Sequence, residues 1–168
     1  MAVIVVSDTS PLSGLAIAGY LSLLQQLYGQ VIIPVAVASE LRRGGQDDPR
    51  INEVLALDWV EVQQPKNLAL VETLQADQNL DRGESEAIAL ALELKADELL
   101  IDERLGRQEA SRLGLSITGL LGILLVAKRR GLVGEIRPIV DDLINEAGFR
   151  VSSQLYVEVL ARISHKKR

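Results

Sequence analysis

The chain has 168 residues, 23 acidic against 18 basic side chains for a net charge of −5, and no cysteine. That length suits one domain, residues 1–168, able to bury roughly two-thirds of its unfolded surface; the missing cysteine excludes a disulfide framework and a thiolate zinc site. An acidic total does not advertise a nucleic-acid binder, so phosphate contacts would have to come from local clusters. Arg42-Arg43, the trio Arg104, Arg107 and Arg112, the run Lys128-Arg129-Arg130 and the tail His165-Lys166-Lys167-Arg168 are such clusters. Each reads equally well as a solvated helix end favoured by the dipole.

In chain order, Ala2 to Val6 is a Val/Ile run that predicts a fully buried strand ending at Ser7-Asp8. It lacks the basic start of a signal peptide and is cut short by Asp8, which points to a cytoplasmic chain. Ser10 as N-cap with Pro11 at the first helical position predicts a helix to Ala18. Gly19 interrupts, and a second helical piece follows from Tyr20 to Leu27. Val31-Ile32-Ile33 predicts a second buried strand, closed by Pro34. The next helix carries Val35, Val37, Ala38, Glu40 and Leu41 and is expected to stop at Gly44-Gly45. A polar turn leads to a short helix, Arg50 to Leu57.

Trp59 to Val62 alternates in pattern, as a strand near a sheet edge does. Asn67 to Gln75 is an amphipathic helix. The next helix opens at Asp81 and places Ala87, Leu90, Ala91 and Leu94 on one buried face. Glu98 to Ile101 is a buried strand ending on Asp102. Glu103 to Leu113 is helical up to Gly114, and Leu115 to Ile117 is a last short strand. Thr118 can cap a long apolar helix to Arg130. The apolar run from Leu115 to Ala127 contains Ser116, Thr118 and glycines and falls short of the ~20 residues that span a bilayer, so no membrane association is expected. Two helices, about Pro138 to Glu146 and Ser153 to Ile163, end the chain. The alternation argues a three-layer α/β domain with a mainly parallel sheet of about five short strands and C-terminal helices from about 135 to 163.

Carboxylates at strand and helix ends carry the chemistry. If the strands ending on Asp8 and Asp102 are neighbours, both acids emerge on the edge of the sheet where ligands gather. Close like charges repel, and a divalent cation holds them together. All-oxygen ligands favour Mg²⁺ or Mn²⁺, and the absence of cysteine and a single tail histidine argue against zinc. Each acid also has a structural reading. Asp8 and Asp102 can cap the helices that follow them, and Glu40 can pair with Arg43. Asp81-x-x-Glu84 fits a capping box. Glu84 and Glu86 lie about 200° apart around the helix axis and so do not share one site. Both flank the apolar face, and periodicity does not choose between them.

Four pieces of the chain together resemble a PIN domain, the nuclease fold of VapC-type toxins, and are most similar to its DUF3368-type branch. They are Val-Val-Ser-Asp8-Thr-Ser-Pro-Leu, Ile-Pro-Val-Ala-Val-Ala-Ser-Glu40-Leu, Arg-Gly-Glu-Ser-Glu86-Ala-Ile-Ala-Leu-Ala and Leu-Leu-Ile-Asp102-Glu-Arg. The resemblance runs in order to about Leu155. It implies that Asp8, Glu40, Glu86 and Asp102 bind one or two Mg²⁺ or Mn²⁺ ions in one pocket. Glu86 takes the third place because Glu86-Ala-Ile-Ala-Leu-Ala mirrors the family's Asp-Ala-Leu-x-x-Ala; Glu103 stands one residue from the fourth. Thr9 and Ser10 would be hydrogen bonders behind the ligands, and Arg104 and Arg107 candidate phosphate contacts. The implied activity is metal-assisted hydrolysis of RNA, with a homodimer and a small antitoxin as implied partners. A PIN-like scaffold without catalysis is the rival reading.

A phosphoacceptor receiver domain is disfavoured, because the third strand runs into Gln63-Gln64-Pro65 rather than an Asp. A dinucleotide-binding domain is disfavoured too, since Ser7-Asp8-Thr9-Ser10-Pro11 is no glycine-rich phosphate loop.

Overall fold

Short runs of Val, Ile and Leu form the central layer, and their residues are apolar on both sides because helices cover both faces. The computed structural model describes residues 3–166, so Met1, Ala2 and the tail's Lys167 and Arg168 lie outside it. Strands β1 (Val5–Ser7), β2 (Val31–Pro34), β3 (Val60–Gln63), β4 (Glu98–Leu100) and β5 (Ile117–Thr118) pair in parallel in the order β3-β2-β1-β4-β5. Successive side chains alternate between the faces. Val5, Ile33 and Leu100 point into one core cluster, whereas Val6, Leu99 and Ile101 point into another.

The first cluster is covered by α1 (Thr9–Ala18), α2 (Ser22–Tyr28), α3 (Val35–Asp47), α4 (Glu53–Ala56), α8 (Leu120–Arg129), α9 (Arg137–Ala147) and α10 (Ser153–Lys166). The second lies under α5 (Leu68–Asp77), α6 (Arg82–Leu94) and α7 (Arg104–Arg112). The result is the expected three-layer α/β/α architecture, with the alternating strand β3 at one edge of the sheet. Among the described residues no helix is long and apolar enough to cross a membrane.

Several boundaries differ from expectation, and three of them have a clear local reason. Helix α1 starts at Thr9 with Asp8, not Ser10, in the N-cap place; Pro11 still falls in the first turn, where backbone N–H groups have no partner within the helix. Helix α3 runs through Gly44 and Gly45 to Asp47, because a short 3-10 turn, Pro49–Asn52, folds back against it. A Cβ on Gly45 would stand 1.8 Å from Asn52 Oδ1, so the glycine serves close packing rather than helix termination. Gly119, not Thr118, caps α8, while the Thr118 hydroxyl donates to the Glu98 carboxylate.

Candidate metal centre

β1 and β4 are direct neighbours, with Ser7 opposite Leu100. Asp8 and Asp102 therefore leave the sheet on the same edge, and the Asp8 N–H donates to the Leu100 carbonyl at 2.9 Å. Asp8 is only 4% exposed. Burial pushes its carboxyl up to about 7, the Thr9 N–H opposes that rise, and the charges of Asp81, Glu40 and Asp102 add to it. These contributors define the neighbourhood of Asp8.

Glu40 reaches the same place from α3. Its Oε2 accepts a 2.6 Å hydrogen bond from Thr9 Oγ1, so the residue after Asp8 fixes the orientation of the second acid. Burial raises the Glu40 pKa, the Thr9 bond opposes, and Asp81 raises it further. The first turn of α6 closes the hollow through Gly83, which is buried. A Cβ there would lie 2.3 Å from Glu40 Oε1 and 3.4 Å from Asp8 Oδ1. Only a residue without a side chain leaves that space between the two carboxylates.

Asp81 caps α6, accepting the Glu84 N–H at 2.7 Å. The capping reading of Asp81 thus holds, and it coexists with a second role. Glu84, 7% exposed, is raised to about 8 by burial, then by contact with the Asp81 carboxyl, then by the charges of Asp81, Asp8 and Glu103. Glu86, expected in the third acidic place, is committed elsewhere. Its Oε2 pairs with Arg82 Nε at 2.7 Å and its Oε1 accepts the Ala36 N–H at 3.0 Å. It caps the N-terminus of α3, where a negative charge is favoured.

Asp102 follows β4 and uses one oxygen structurally: Oδ1 accepts the Leu120 N–H at 2.9 Å, at the N-terminus of α8. Oδ2 is sealed from solvent with no hydrogen-bond partner. Burial raises this carboxyl to about 6, the Leu120 N–H and Arg107 opposing and Glu103 adding. Arg107 donates from Nη1 to the Ile101 carbonyl at 2.8 Å, so the guanidinium braces the loop that carries Asp102. Arg104 and Glu103 are exposed, and Ser10, partly exposed, lines a hollow beside Asp102.

Among the described residues no group of three or more acidic side chains is drawn together tightly enough to enclose an ion as it stands. Unneutralised carboxylates hold one another apart. The donor chemistry nevertheless fits a hard cation: the groups are carboxylate oxygens, Asp8 is deeply buried with other acids near it, and Asp102 Oδ2 is unspent. Sequence reasoning missed Asp81 and Gly83 as members. The available signal was a glycine in the first turn of a helix, between two acids, where its low helix propensity needs another reason.

No curated protein matches this chain. Among solved structures, the crystal structure of PAE2754 from Pyrobaculum aerophilum is similar in fold, with a TM-score of 0.58 at 15% sequence identity over 77% of this chain and 99% of that one. The family model of DUF3368, a PIN domain, matches residues 4–165. A parallel sheet whose two central strands deliver acids to one edge, matched by that family over nearly its whole length, places the chain in the DUF3368 family of PIN domains.

Proposed function

We propose that the protein is a divalent-cation-dependent nuclease that hydrolyses phosphodiester bonds in RNA. PIN domains have a nuclease-type fold. The observation that carries the proposal is the pairing of β1 with β4, which brings Asp8 and the half-used Asp102 out on the same edge of the sheet. Asp8, Glu40, Glu84 and Asp102 would hold Mg²⁺ or Mn²⁺, with Glu84 rather than Glu86 in the third place, because Glu84 stands among the other acids. A bound ion lowers the pKa of its water and offsets charge on the scissile phosphate. Thr9 orients Glu40, the Leu120 N–H orients Asp102, and Asp81 holds the Glu84 backbone N–H. The choice of RNA follows the family resemblance. A homodimer and a small protein antitoxin belong to the same proposal; solution mass and co-purification with the product of a neighbouring reading frame test them.

The experiment is Mn²⁺ titration by calorimetry together with cleavage of varied single-stranded RNAs. Wild type should bind the ion and cut, and Asp8→Asn should lose both. Binding and cleavage that are identical in the two proteins would falsify the assignment, and a wild type that binds no ion identifies the chain as a non-catalytic scaffold.

A further inference from the structure

Beside the acidic centre, a cleft of about 560 Å³ runs between α8 and the segment from Phe149 to Val159. A second hollow of about 350 Å³ opens on the other side of that segment. Asp102, Phe149 and Arg150 line both, so the two meet beside Asp102. The lining is largely apolar, and its charged side chains are mainly basic although the chain carries a net charge of −5: Arg107, Arg129 and Arg150 line the larger cleft, with Asp102 as the one acid among the described residues. Arg107 is engaged with the Ile101 carbonyl. Arg129 and Arg150 are exposed and, among the described residues, have no carboxylate within ion-pair distance, whereas Arg50, Arg82 and Arg112 each do. The chain's single phenylalanine, Phe149, is half-buried against the first core cluster and lines both hollows. Its backbone is fixed by its N–H bond to the Leu143 carbonyl at 2.9 Å, after Gly148 turns the chain at φ 69°.

We infer that this cleft is the track for the single strand that flanks the scissile phosphate, with Arg129 and Arg150 on successive phosphates and a base stacked on Phe149. The inference rests on the nuclease reading for where the strand begins. Unpaired arginines spaced along an open cleft suit a repeating phosphate backbone, and an aromatic face between them suits an unstacked base. Acidic side chains would satisfy the arginines, but they do not bring a planar ring beside each charge as a nucleotide does. A duplex keeps its bases stacked inside and offers none to the ring.

The test uses the full chain carrying Asp8→Asn, so that RNA is bound and not cut, with Mg²⁺ and a short fluorescein-labelled single-stranded RNA. Affinity is measured by polarisation across a salt series. Arg129→Gln with Arg150→Gln should flatten the slope of log affinity against log salt by about 1.4, since each single-strand phosphate contact contributes ~0.7. Lysine at both positions should restore the slope, and Phe149→Ala should cost roughly tenfold in affinity with the slope unchanged. Melting temperatures verify that the variants fold. An undiminished slope in the double glutamine variant overturns the track, and so does equally tight binding of poly-glutamate or of an RNA duplex. Cleavage by the protein with Asp8 intact is scored separately. Asp8-dependent cleavage with an undiminished slope removes the track alone; a flattened slope without cleavage supports the track and removes the nuclease.

Discussion

Glu84 and Glu86 are two positions apart, and about 200° of rotation around α6 sends one to Asp81 and Asp8 and the other to Arg82 and the start of α3. Their substitutions should therefore have opposite signatures. Glu84→Gln should weaken Mn²⁺ binding by roughly tenfold or more, measured by calorimetry. Glu86→Ala should leave the Ala36 N–H without its acceptor and cost about 1–3 kcal/mol of stability in chemical denaturation. Gly83→Ala separates affinity from stability in one residue. The methyl group displaces Glu40 Oε1, 2.3 Å from the added Cβ, so Mn²⁺ affinity should fall, while melting temperature holds or rises because alanine favours the helix by ~1 kcal/mol. Asp8 and Asp102 were legible in the sequence as acids at strand ends, while Glu40, in the middle of α3, was singled out only by the family resemblance. Asp81 and Gly83 were not, because their part depends on how closely α3 and α6 approach, which no spacing within either helix reveals.

At the level of elements, the buried strands were legible because parallel pairing makes them continuously apolar, and β3 stood out as alternating because it lies at the edge. The end of α3 was illegible for the opposite reason. Gly44 and Gly45 look like a stop signal locally, but their purpose is to admit Ile51 and Asn52 from the following turn. Gly45→Ala should break the Asn52 Nδ2 bond to the Gly45 carbonyl and lower stability by about 1 kcal/mol despite the better helix former. A urea titration of the variant against wild type measures it. The N-cap of α1 shifted from Ser10 to Asp8 because Asp8 must leave β1 in extended geometry to reach the sheet edge.

Across the whole molecule, the acidic hollow sets a pH response. Asp8 rises from 3.8 to about 7 on folding, so the folded chain holds its proton more tightly than the unfolded one. The resulting stabilisation is fully present below pH ~4 and is lost as pH rises through ~7, with Asp102 and Glu84 acting in the same direction. Metal-free protein should be less stable near pH ~8 than near pH ~5 by an amount on the order of a few kcal/mol, and melt at a correspondingly lower temperature. Mn²⁺ should raise the melting temperature more at the higher pH, where protons no longer compete for the oxygens; scanning calorimetry with and without chelator reads both effects.

The placement of β4 beside β1 also bears on the order in which a ribosome delivers the chain. Asp8 and Glu40 emerge early, but the strand that flanks Asp8 and the loop bearing Asp102 follow only after Glu98. A nascent polypeptide interrupted before that point carries part of the acid set and no completed hollow. Whatever chemistry that hollow supports is thereby withheld until more than half of the chain has been made.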